Sequence, residues 1–125
     1  MSDARERPVS ETGGAKETGL ARFDMIPEYP LRLLAERYGL GAAKYPVPDG
    51  TVDNWRLGYR WSLSFAAMMR HAWEFWRGHD MDDDTGQPHL VAVIWHAMAL
   101  LEWGRHPQLK ARFDDRQDPR TGVIS

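Results

Sequence analysis

At 125 residues the chain has room for one hydrophobic core, and 42% hydrophobic against 27% charged residues is the balance of a folded domain. A net charge of −2 excludes binding of duplex nucleic acid through a broadly basic surface. The lack of cysteine excludes disulfide scaffolding and thiolate metal sites, which leaves His, Asp and Glu for any ion. With no apolar signal core at the N-terminus and no apolar run near the roughly 20 residues of a bilayer span, the expectation is a soluble, cytoplasmic protein without a membrane partner.

Residues 1–19 are charged, rich in Gly, Ser and Thr, and nearly free of large apolar side chains. They bury too little to offset the entropy of ordering, so a flexible N-terminal arm is expected. Within it Lys16, beside Gly13, Gly14 and Gly19, is either a phosphate contact or an ordinary exposed lysine. Residues 20–106 are expected to form the folded domain. A first helix is predicted over residues 28–38, where Leu31, Leu34, Ala35 and Tyr38 follow the spacing of one helical face and Pro30 is tolerated in the first turn. Gly39 and Gly41 read as its stop. A short turn at 42–45 and a loop rich in turn residues follow, and Lys44, Tyr45, Asn54 and Trp55 fall in this region. A cation, an amide and two aromatics here either grip the phosphates and base of a nucleotide or pin the loop to the core.

A second helix is predicted from a cap at Ser62 or Ser64 to Trp76 or Arg77, ended by Gly78. Its apolar residues occupy more than one face, so it needs neighbours on several sides. A third runs from about Pro88 to Trp103, with Gly104 as its stop, and its interior LVAVIWHAMALLEW is almost continuously apolar. Residues 107–125 are charged and turn-rich and read as a polar C-terminal tail. The expected fold is all-α: a small helical domain of three main helices with a long acidic loop, its surplus apolar surface covered by homo-oligomerisation.

The chemistry concentrates in residues 70–96, RHAWEFWRGHDMDDDTGQPHLVAVIWH, which hold four of the five histidines and a run of aspartates between two helices. Asp80, Asp82, Asp83 and Asp84 crowd into five positions, a charge density that calls for a cation or for donors. Such oxygen ligands suit Mg2+ or Mn2+ bound together with substrate phosphates. The plain alternative is solvated aspartates, with Asp84 and Thr85 serving the N-terminus of the third helix. His71 and Glu74 share a face of the second helix, while Arg70 points about a hundred degrees away. His89 and His96 share a face of the third but are about 10 Å apart in rise, so they cannot both hold one ion. His89, next to the acidic loop, is the site candidate, and His96 reads as a buried or ligand-lining histidine. No Gly-rich phosphate loop and no Ser-His-Asp spacing is present.

Taken in order, GGAKETGLARFDMIP, GAAKY, DNWR and MMRHAWEFWRGHDMDDDTGQPHL resemble the small phage and prophage proteins described as dATP/dGTP diphosphohydrolase, N-terminal type, over about residues 13–103. The resemblance implies an all-α nucleotide-handling protein in which Lys16, Lys44, Asn54, Arg70, His71, Asp82, Asp84, Gly86 and His89 stand at the family's positions. Departures occur at His79 and Asp84, each in place of a Glu, at Leu20 in place of a Lys, at Ala92 where His is common, and at His96 where Asn is common.

The function so implied is a metal-dependent pyrophosphohydrolase of phage nucleotide metabolism, converting a purine deoxynucleoside triphosphate to the monophosphate and pyrophosphate. His71, Asp82 and His89 would be catalytic, and with Asp84 would hold Mg2+ or Mn2+. Lys16, Lys44 and Arg70 would offset phosphate charge, Asn54 would add a polar contact, and Tyr45 or Trp55 would stack on the base. A rival reading is a non-catalytic protein that sequesters a host nucleotide or cyclic-nucleotide signal in an oligomer-interface pocket. A third is a helical oligomerisation protein whose aspartates are only solvated.

Overall fold

The structure, a computed structural model, describes residues 7–16, 19–48 and 52–116. Among these residues it is all-α, with four helices, 3₁₀ turns at Phe23–Met25 and Asn54–Leu57, and no strand beyond isolated bridges. The chain divides into two compact units, Met1–Leu31 and Arg32–Ser125.

In the first unit Val9 and Ala15 pair across a tight turn. Gly13, at φ +88°, donates to the Ser10 carbonyl at 2.9 Å, and the Gly14 N–H donates to Ser10 Oγ at 3.0 Å. The expected arm therefore carries a local turn, because Ser10 and a glycine free to adopt positive φ satisfy its hydrogen bonds without a core. Lys16 follows the turn and is exposed. Residues 1–6 and 17–18 of the expected arm, and 49–51 of the loop, lie outside the described residues.

Helix α1 (Glu28–Lys44) passes through Gly39 and Gly41 and reaches Lys44 rather than ending near residue 38. Glycine inside a helix costs only about 1 kcal/mol, and the ring of Tyr38 pins the helix from both sides, edge-on to Trp55 at 5.3 Å and tilted against Trp95 at 5.8 Å. Ala42 and Ala43 then continue it, with the Tyr45 N–H bonded to the Gly41 carbonyl at 2.9 Å.

Helices α2 (Trp61–Trp76) and α3 (His89–Gly104) form the centre of the second unit. Ser64 meets His96 at one end and His71 meets His89 at the other, so the pair is antiparallel. Neither Ser62 nor Ser64 caps α2. The N-cap position is Arg60 with no side-chain cap, Ser62 lies inside the first turn, and Ser64 is wholly buried against His96. The cap function comes from far along the chain. Asp115 Oδ1 accepts the Ser62 N–H at 2.9 Å and Asp115 Oδ2 accepts the Ser62 hydroxyl at 2.5 Å, with Asp115 itself buried. A carboxylate at this end also meets the positive end of the helix dipole.

The expected polar tail is corrected over its first part. Residues Pro107–Phe113 form helix α4, whose Leu109 and Phe113 pack on the core of Trp61, Ala99 and Trp103, beside Trp55, Tyr59 and Trp95. Two apolar side chains four apart among charged ones suffice to dock a short helix that has a partner surface. The close approach depends on Gly58, at φ +78°, where a Cβ would lie 3.1 Å from the Phe113 ring. Residues 117–125 of that tail lie outside the described residues.

Replacing Asp115 by Ala removes two charge-assisted hydrogen bonds and leaves the Ser62 donors unmet. The loss of stability expected is roughly 2–3 kcal/mol, read as a lower urea midpoint with an unchanged slope.

Candidate functional site

Two concave surfaces of the second unit meet at the loop between α2 and α3. The loop is built around Asp82. Its N–H donates to the Gln87 carbonyl at 2.8 Å and its carbonyl accepts the Gly86 N–H at 2.7 Å. Its carboxylate accepts the Asp84 N–H at 3.0 Å and the Thr85 hydroxyl at 3.3 Å. Gly86, at φ +74°, allows the chain to close this turn. The His89 N–H donates to the Asp80 carbonyl at 2.8 Å, so the loop, not a side-chain cap, starts α3; Asp84 and Thr85 do not cap it.

This arrangement brings a donor atom from each of His71, Asp82 and His89 within 4.8 Å of one another. Both histidines are buried, and their Nδ1 atoms stand 2.8 Å apart. Two ring nitrogens so close must share a proton or a cation. Burial pushes His71 below the usual imidazole range, against the opposing charge of Asp82, with Arg70, His89 and Arg37 lowering it further. A histidine kept neutral is ready to ligate. Two imidazoles and one carboxylate form a mixed set, suited to a transition ion such as Mn2+ more than to Mg2+, whose ligands are normally all oxygen. Asp84 is not among the converging donors; it is exposed and lines the other surface.

That other surface is a cleft of about 430 Å³, within the size range of small-molecule sites. Lys44, Tyr45, Asn54 and Trp55, separate in the sequence, all line it, as do Asp84, Thr85 and His96 on its loop-facing side. Trp55 is heavily committed: its carbonyl accepts the Trp103 indole N–H at 3.0 Å, the Tyr38 ring meets it in a T-shaped contact, and the Arg56 guanidinium sits over its ring at 4.7 Å. Tyr45, with the Lys44 ammonium 5.4 Å over its ring, is the more exposed aromatic, about half of it open. Arg70 is exposed and lines neither surface, and Lys16 belongs to the first unit.

Sequence reasoning missed Arg37, Tyr59 and Trp95, which also line the cleft. Once α1 is read through its glycines, Arg37, Gly41 and Lys44 fall four and three residues apart on one face, which is the signal that a stop at Gly39 hides.

His96 joins the two surfaces. It lines the cleft, stacks on His71 with ring centroids 6.4 Å apart, and its Nδ1 lies 2.7 Å from Ser64 Oγ. Burial first, then the positive influence of His71, Arg37 and Arg70, push it down to about 4. The unfolded chain therefore takes up this proton at a higher pH than the folded one. The neutral ring's contribution is complete above pH 6.5 and is lost as the pH falls from there toward 4. The shift corresponds to at most about 3 kcal/mol. Urea unfolding should show stability falling over that window, and His96→Gln should flatten the dependence.

A family model described as dATP/dGTP diphosphohydrolase, N-terminal, matches residues 10–116. Comparison with curated proteins and with solved structures returned no match.

Proposed function

We propose that this chain, which belongs to the dATP/dGTP diphosphohydrolase N-terminal family, hydrolyses a purine deoxynucleoside triphosphate to the monophosphate and pyrophosphate with the help of a divalent ion. The observation that carries the reading is the adjacency of the cleft to the His71, Asp82 and His89 cluster, linked through His96 and through the loop that has Asp82 on one side and Asp84 on the other.

In this reading the nucleoside lies in the cleft, with the base on Tyr45 and an amide contact from Asn54, while Lys44 and Arg37 offset the phosphate charge. Asp84, facing the cleft, accepts hydrogen bonds from the nucleoside. His71, Asp82 and His89 hold the ion, Mn2+ in preference to Mg2+. When bound, the ion supplies polarisation of the phosphoryl group and a lowered pKa for water. The buried histidines exclude bulk water from one side of the cluster, and the loop hydrogen bonds to Asp82 hold its carboxylate in place. Leu63, Phe65, Trp73 and Trp76 of α2 and Leu101 of α3, all exposed, would be covered by a second copy of the chain.

The test is to incubate the protein with dATP, dGTP and cyclic dinucleotides, with and without Mn2+ or Mg2+, and to separate the nucleotides by chromatography. The expected outcome is metal-dependent release of pyrophosphate, reduced in Asp82→Asn by roughly 100-fold or more. Recovery of unaltered nucleotide only after denaturation would replace hydrolysis by sequestration.

A further inference from the structure

Asp82 and His89 also line a second concavity, of about 480 Å³, together with Glu74, His79, Asp80 and Asp83. The end of α2 places His79 there. At Gly78, φ +92°, the helix closes with paired bonds: the Gly78 N–H donates to the Phe75 carbonyl at 2.9 Å and the His79 N–H to the Glu74 carbonyl at 3.0 Å. This folds His79 back over the last turn, where its Nδ1 lies 2.8 Å from Glu74 Oε2. The other oxygen of Glu74 accepts from Arg77 Nη2 at 2.9 Å. The bond to His79 is the main influence holding the Glu74 carboxyl below its usual range. An ionised Glu74 only accepts, so Nδ1 of His79 carries a proton and the lone pair of the neutral ring sits on Nε2.

An imidazole fixed in this tautomer by a carboxylate, with its basic nitrogen free, is the arrangement of a general base. The charged and titratable groups around it are Glu74 and Arg77 of α2, Asp80, Asp82 and Asp83 of the loop, and His89 of α3. The end of α3 offers an internal comparison. There Glu102 pairs with Arg105 and with His106, but the ring is held through Nε2, at 2.9 Å, and no converging ligand set lies beside it among the described residues.

We propose that His79, oriented by Glu74, accepts the proton of the attacking water, a role that rests on the pyrophosphohydrolase reading above. The water oxygen bonds to the α-phosphorus and the bond from that phosphorus to the α–β bridging oxygen breaks. Pyrophosphate leaves with the electron pair, and one water proton passes to Nε2 of His79. The Glu74 carboxylate stabilises the imidazolium, and the exposure of the His79 side chain, 65%, lets the proton pass on to solvent.

Two measurements test the role. In steady-state assays with the Mn2+-loaded protein and dATP or dGTP, His79→Gln should lower kcat by roughly 100-fold or more with KM unchanged, and added imidazole should restore part of the rate of His79→Ala. His106→Gln, which removes the matched ring just beyond α3, should leave kcat as it was. Independently of activity, long-range proton–nitrogen spectra of the metal-free protein at alkaline pH should show His79 as the Nδ1–H tautomer, reverting to Nε2–H in Glu74→Ala. A wild-type His79 in the Nε2–H form, or a His79→Gln enzyme that keeps its rate, overturns the role while leaving the reaction in place. A wild-type protein that releases no pyrophosphate with either ion overturns both.

Discussion

The pairing of α2 with α3 is the constraint from which the rest follows, because its seam is polar where an ordinary helix pair would be apolar. Ser64, His71, His89 and His96 are all buried between the two helices, and each has a side-chain partner across the seam. Buried polar groups are costly unless satisfied, so a slide of one helix along the other by a single turn would leave four of them unmatched. Apolar residues alone, abundant on both helices, would tolerate several registers. The same contacts that fix the register therefore fix the position of the donors that converge with Asp82.

Much of this was open to sequence reasoning. The three long helices follow from apolar spacing and from Gly78, and of the four residues His71, Asp82, Asp84 and His89 that the family resemblance grouped as metal ligands, three converge while Asp84 does not. What could not be read is long-range. Asp115 caps α2 from a separation of 53 residues, and nothing local distinguishes it from the neighbouring Asp114. The docking of α4 rests on Leu109 and Phe113, two apolar residues in a charged segment, and depends on the missing side chain of Gly58. Asp82 and Asp84, two residues apart, face different surfaces because the carboxylate of one organises the turn that contains the other.

The reading of α1 shows how a local rule can hide a site. Gly39 and Gly41 argue for a stop by propensity, yet Tyr38, wedged between Trp55 and Trp95, holds the helix through them. Neither glycine has an atom within 4 Å of where a Cβ would stand. At Gly41, which lines the cleft together with Arg37 and Lys44, this leaves bare backbone and open space that a side chain would fill.

Gln87 is a small feature with a mechanical consequence. Its side-chain Nε2 donates to the Leu33 carbonyl of α1 at 3.0 Å, while its own backbone carbonyl accepts the Asp82 N–H. One buried residue thus grips both the helix that walls the cleft and the turn that carries the carboxylate. The cleft wall and the carboxylate-bearing turn therefore keep a set spacing, since neither can shift against the other without stretching one of two hydrogen bonds.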